Sequence, residues 1–203
     1  MDDPSKGTMN PVYPGVTNLI RLIREDLFVH GGDLRMPSFL AIAVHRFGHW
    51  ASSQRQGAVR DALLFFYRIM YRYVRKHYGI EIPITTLIGR RLWLKNPSGT
   101  VFHGKAEIGD DCLIWQNTTI GAFYGLEEHF HEGPKLGDRV EVGAGAVIFA
   151  GVRVGEEASI GPQAVVSSNV SARTEVFAKA SPLYGKESSC RDCDTCPNTP
   201  TMG

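Results

Sequence analysis

The chain has 203 residues, 43% of them hydrophobic, with four cysteines and a net charge of +1. That length allows one core, or a small helical cap joined to a larger unit. The near-zero charge removes a bulk electrostatic case for nucleic acid or an acidic membrane surface, and no apolar run approaches the roughly 20 residues that cross a bilayer.

Residues 1–15 mix proline, glycine and polar side chains and read as a loose arm. Met1, Asp2 and Asp3 lack the basic and apolar regions of a signal peptide, which points to a cytoplasmic protein with reduced thiols. Residues 16–79 read as a helical cap. From Thr17, a plausible N-cap, Leu19, Ile20, Ile23, Leu27 and Phe28 fall on one helical face, and Gly31-Gly32 stops that helix. A second helix is expected from Ser38 to about Ser52, burying Leu40, Val44 and Phe47. A third spans about Ala58 to Tyr78, carries Leu63, Phe66, Met70, Tyr73 and Val74, and ends at Gly79. His45 and His49 are four apart, a spacing that can ligate metal, but no carboxylate completes the set, so packing roles are expected for both.

From residue 80 to 185 the pattern changes. Ile108, Ile114 and Ile120, then Leu136, Val142, Ile148, Val154, Ile160 and Val166, recur every sixth position, often followed by glycine. A sustained six-residue period suits neither a helix at 3.6 nor a lone strand at 2. It suits a parallel β-helix whose aliphatic residues fill a triangular prism while glycine or polar residues turn the corners. The fold class expected is α+β: a helical cap, then a left-handed β-helix of about five coils. Two interruptions stand out. Leu94 to Phe102 is two residues too long, and Ile120 to Leu136 is ten too long. The second insertion holds Glu127, Glu128, His129, His131 and Glu132, and loops inserted at solenoid corners often carry the site. In the polar tail, 186–203, Cys190, Cys193 and Cys196 lack a fourth ligand for structural zinc and are expected to be reduced.

The strings HRFGHW (45–50), YGIEIP (78–83), TLIG (86–89), AEIGDDCLIWQNTTIG (106–121) and GPKLGDRVEVGAGAVI (133–148) resemble the serine acetyltransferase family of left-handed β-helix acyltransferases. The resemblance implies a homotrimer that binds acetyl-CoA, as co-substrate, between adjacent prisms. It also implies a small hydroxylated acceptor; the charge and ligand patterns read above add the expectation of no metal, nucleic acid or membrane partner. The family's catalytic Asp-His pair falls here on Lys95 and Asn96, and its Arg-His pair on Glu132 and Gly133. Those changes invert the charges that would meet a zwitterionic amino acid.

The expected function is therefore acetyl-CoA-dependent O-acetyl transfer to an acceptor other than free serine. Serine acetylation with a rearranged base and an inactive trimeric scaffold are the alternatives. A histidine near neutrality can take the acceptor's proton; His131 is the first candidate and His103 the second. Asn96 can donate a hydrogen bond but cannot act as a base, and Glu132 can orient the histidine. Glu81, Lys95, Asp33 and His129 are candidates to contact the acceptor. Gly121, Ala144, Gly145, Arg139 and Lys179 are candidates for the cofactor. The run Gly143 to Ala146 reads either as room for a thin pantetheine chain or as a plain tight corner. The chain ends Thr201-Met202-Gly203 rather than in the family's isoleucine, so a sulfhydrylase partner is not expected.

Overall fold

The computed structural model describes residues 16–122 and 132–178. Three helices come first: α1 (Val16–Val29), α2 (Pro37–Ser52) and α3 (Ala58–Tyr78). Among the described residues thirteen short strands follow and build three parallel sheets. The first face holds β1 (Leu87–Ile88), β4 (Glu107–Ile108), β7 (Lys135–Leu136) and β10 (Arg153–Val154). The second holds β2 (Trp93–Lys95), β5 (Leu113–Trp115), β8 (Glu141–Val142), β11 (Ser159–Ile160) and β13 (Glu175–Val176). The third holds β3 (Val101–Phe102), β6 (Thr119–Ala122), β9 (Val147–Phe149) and β12 (Val165–Val166). Each chain turn visits the faces in order, which makes four full coils and a partial fifth of a left-handed β-helix.

The period of six is the length of one face plus one corner. Ile88, Ile108, Leu136 and Val154 stack in register along the first face. Ile108, Ile114, Ile120, Val142, Ile148, Val154 and Ile160 are all 0–3% exposed, inside the prism. Two positions before Ile108, Ile114, Ile148, Ile160 and Val166 sits a smaller buried residue, Ala106, Cys112, Ala146, Ala158 and Ala164 respectively, whereas buried Val140 and Val152 precede Val142 and Val154. These residues complete the close packing of the interior beside the corners. Burial pushes the Cys112 thiol up to about 12, so it packs as an inert apolar group.

At the corner between the first and second faces each coil turns through a left-handed residue: Arg91, Asp111, Arg139, Glu157 and Arg173, with φ between 55° and 57°. Their charges alternate along the prism. Arg91 pairs with Asp111, and Glu157 takes Arg139 and Arg173, each at 2.7 Å.

The cap is tied to the first coil by polar bonds as well as apolar packing. Arg46 and Asp26 form an ion pair at 3.0 Å with both side chains at or below 1% exposure. Arg46 also donates to the carbonyls of Ile88 and Gly89. Beside it the fully buried His45 donates from Nε2 to the Thr86 carbonyl at 3.0 Å, and His49 Nδ1 lies 3.3 Å from the Ile84 carbonyl. The spacing of these histidines thus serves two carbonyls of the turn that leads into β1.

Two helix faces differ from expectation. Thr17 lies inside α1 rather than capping it, since a cap needs non-helical backbone. The buried stripe of α1 runs through Leu19, Asp26 and the following His30, leaving Ile20 53% and Phe28 85% exposed. Arg46 draws Asp26 inward and rotates the helix away from its most apolar face. In α3 the buried residues are Tyr67 and Val74, whereas Phe66 and Tyr73 stay about half-exposed. Tyr67 lies against Gly48 of α2, where any Cβ would strike its ring, so the helix crossing is set by that glycine.

Candidate active site

Asn96 turns from the second face to the third, with φ 51°. On the same corner, one coil after another, lie Asn117, Gly145 and Gln163. Backbone bonds from Asn117 to Ser98, Gly145 to Gln116, and Gln163 to Ala144 join them. Lys95 and Asn96 therefore share a column with Ala144 and Gly145. The structure sets these two pairs, 49 positions apart in sequence (144 − 95), on one edge of the prism with the Gln116–Asn117 coil between them.

On the second face beside this column, Lys95 Nζ sits 4.2 Å from the Trp115 ring centroid and 5.4 Å from that of Trp93. Trp115 is held from the next coil, its Nε1–H donating to Glu141 at 3.2 Å. Two indoles thus fix an ammonium by cation–π attraction. The glycines of the column are explained by coil stacking. A Cβ on Gly143 would meet the Pro162 nitrogen, and one on Gly145, at φ 71°, would meet the Gln163 side chain. Of the two readings of this run, the tight corner accounts for the glycines, and half-buried Ala144 forms the outer surface.

A second column, between the third and first faces, carries His103, Gly121, Glu132 and Gly133. Gly121 lies directly against His103, and a Cβ at Gly133 would strike the Lys105 carbonyl, so no side chain fits there. His103 Nδ1 accepts from the Lys105 backbone N–H at 3.3 Å, which places the neutral ring's proton on Nε2. Partial burial, with help from the Lys105 charge, lowers the His103 pKa and favours that neutral form. Next to this corner a cavity of about 440 Å³ opens on the first face, lined by Lys105, Glu107, Glu132, Lys135 and Arg153 among others. Lys135 and Glu107 pair across it at 2.6 Å.

Other expected site residues fall elsewhere. Arg139 does not join the Ala144 corner; it stands on the charge-alternating corner and is engaged by Glu157. Asp33 lies in the exposed turn between α1 and α2, accepting from the Arg35 N–H at 2.8 Å. Glu81 enters the third face through a bridge to Val101 and pairs with Arg75 at 3.2 Å. His129, His131, Lys179 and the three tail cysteines lie outside the described residues. Among the described residues no cluster of three or more His, Cys, Asp or Glu side chains could hold a metal.

The sequence reading missed Lys105, Lys135 and the two tryptophans, whereas Arg153 was among the arginines expected to meet the cofactor's phosphates. Their signal is positional. Leu87, Glu107, Lys135 and Arg153 each precede an interior aliphatic by one, so they align on one outer face.

The serine acetyltransferase of Helicobacter pylori (strain J99) is 34% identical over 148 residues, which is 72% of this chain and 81% of that protein. The chain belongs to the serine acetyltransferase family. The Mycobacterium tuberculosis serine acetyltransferase is 33% identical over 132 residues, 64% of this chain and 53% of that protein. The chain thus spans about half the length of that relative and of the Synechococcus elongatus one, of which it matches 51%. No family model matches the chain. Among solved structures, soybean serine acetyltransferase apoenzyme superposes with a TM-score of 0.67 at 24% identity, covering 80% of this chain and 67% of that one. The Neisseria gonorrhoeae enzyme gives 0.67 at 24% identity, covering 81% and 64%. These two likenesses fix the fold of this family member: helices, then a left-handed prism.

Proposed function

We propose that the chain is an acetyl-CoA-dependent O-acetyltransferase that acts, as a homotrimer, on a small hydroxylated acceptor other than free serine. Family membership supports acetyl transfer. The different acceptor is supported by one observation: the corner that holds Glu132 has no room for a side chain at Gly133. By resemblance, the family's Arg-His pair would stand on those two positions. Here the pair becomes a carboxylate and a bare backbone, while Lys95, in the family's aspartate position, adds a cation. A carboxylate where a guanidinium would grip the serine carboxylate repels it.

In the proposed reaction the acceptor oxygen attacks the thioester carbonyl carbon and gives its proton to a histidine. The carbon–sulfur bond then breaks, and the departing thiolate recovers that proton. His131 is the proposed base, with Glu132 orienting it. His103, whose Nδ1 is engaged by the Lys105 amide, suits donation from Nε2 to the acceptor or to the developing oxyanion. Lys95 and Asn96 would contact the acceptor. Acetyl-CoA would lie along the Ala144 corner, where Ala144→Trp is expected to abolish CoA binding by calorimetry.

Serine acetylation with a rearranged base is the second reading, favoured by the 34% identity to the Helicobacter pylori protein. Release of free CoA thiol, assayed with serine and with a panel of monosaccharides and other hydroxylated acceptors, separates the two. Turnover of a sugar or another hydroxyl compound above serine is expected. Turnover of serine alone overturns the proposed acceptor, and CoA binding without any transfer overturns the enzymatic reading.

A further inference from the structure

We propose that the exposed face of α3 docks the protein on an anionic lipid bilayer. Phe65, Ile69 and Tyr73 stand four residues apart along this helix and are 65%, 52% and 48% exposed. Arg68, Arg72 and Lys76 make a second row of the same spacing. At 100° per residue the two rows share one helical face. Together these six side chains line a shallow depression of about 600 Å³ that contains no acidic residue.

An apolar row beside a basic row is the arrangement of a helix lying in a membrane interface, where aromatic and aliphatic side chains enter the acyl boundary and cations meet lipid phosphates. The charge is concentrated here. α3 has five basic residues and one acidic one, net +4, within a chain of net +1, so the rest of the chain is net −3. The whole-chain charge therefore conceals a local cationic face. The opposite face of α3 is already used: Tyr67 and Val74 are buried in the core against α2. A twofold copy of the exposed face would set three cations against three, since the acid of α3, Asp61, lies a full turn before Phe65. An anionic surface satisfies both rows. In a cyclic trimer all three caps point to the same end, and three weak contacts would reinforce one another. This inference does not depend on the acceptor proposed above.

The test is co-sedimentation of the full chain with phosphatidylcholine vesicles, with and without phosphatidylglycerol, at low and high salt. Binding is expected only with phosphatidylglycerol, weakening as salt screens the charges. Combining Arg68→Gln, Arg72→Gln and Lys76→Gln should weaken it on the order of 100-fold, at roughly fivefold per cation near the surface. Combining Phe65→Ser and Ile69→Ser should weaken it about 10-fold or more. Circular dichroism should stay unchanged, because these side chains carry no core packing. No binding to either vesicle, or equal binding to both, overturns the proposal. So does a triple variant that binds like the parent. Loss of subunit assembly in the Phe65/Ile69 variant, measured by light scattering, assigns the face to a copy of the chain and also overturns it.

Discussion

At the scale of single residues, histidine protonation is the most informative variable. His45 is fully buried beside Arg46, and burial first, then the Arg46 charge, lowers its pKa to about 3 from 6.5. The folded ring therefore stays neutral where the unfolded ring takes a proton. Its contribution to stability is complete above about 6.5 and declines as pH falls toward about 3, at about 1.4 kcal/mol per pH unit for one proton. His30, whose pKa is also lowered by burial, adds to the same trend. His45→Gln keeps a donor for the Thr86 carbonyl and removes the titration. Chemical denaturation across this range should show a flatter acid decline in the variant, by up to one proton; an unchanged slope would assign the decline to other groups. The functional histidines give a second prediction. His131→Ala should lower single-turnover acetyl transfer roughly 10²–10⁴-fold, the loss expected for a general base, with CoA affinity unchanged. His103→Ala should cost less if His103 only donates a hydrogen bond. The reverse ranking would move the base to His103.

At the scale of elements, the join between cap and prism rests on unequal ion pairs. Asp26–Arg46 is sealed from solvent, whereas Glu25–Arg90, at 2.6 Å, has side chains 21% and 41% exposed. Removing one member of a sealed pair strands the other charge, at about 3–5 kcal/mol. Removing one member of an exposed pair costs about 1 kcal/mol or less. Asp26→Ala should therefore destabilise far more than Glu25→Ala in urea unfolding, although the two residues adjoin on one helix. Equal losses would mean that α1 is held mainly by Leu19 and its apolar neighbours. The charge-alternating corner is a third kind of contact. Each pair there is exposed and individually weak, but the alternation of Arg91, Asp111, Arg139, Glu157 and Arg173 opposes a slip of one coil along the prism, which would set like charges together.

At the scale of the whole molecule, the two candidate columns stand on different corners of the prism. Asn96 and Ala144 lie between the second and third faces, with Lys95 at the adjoining end of β2, while His103, Glu132 and Gly133 lie between the third and first. A transfer site that uses both needs a neighbouring prism to bring one corner against the other, and a cyclic trimer supplies that geometry three times. Light scattering at micromolar concentration should give the mass of three chains. A monomer mass would leave the two columns as separate surfaces and remove the basis for a shared site.

The fold was legible in the sequence because the prism repeats. Each aliphatic at a six-residue interval must face inward, and the interior stack from Ile108 to Ile160 follows from that period alone. The helices were legible in extent for a similar reason, with Gly79 turning through φ 65° after α3. Their facing was not. Asp26 is buried because Arg46, twenty residues later, meets it inside the cap, and no local pattern announces a pair at that separation. The site was legible only in part. The insertion at 122–133 and the residues at Lys95 and Asn96 mark it in one dimension. That Asn96 shares a corner with Ala144, that Arg139 does not, and that Gly133 excludes any side chain depend on coil stacking. Those relations join residues one or two coils apart, and only the folded prism sets them on one corner.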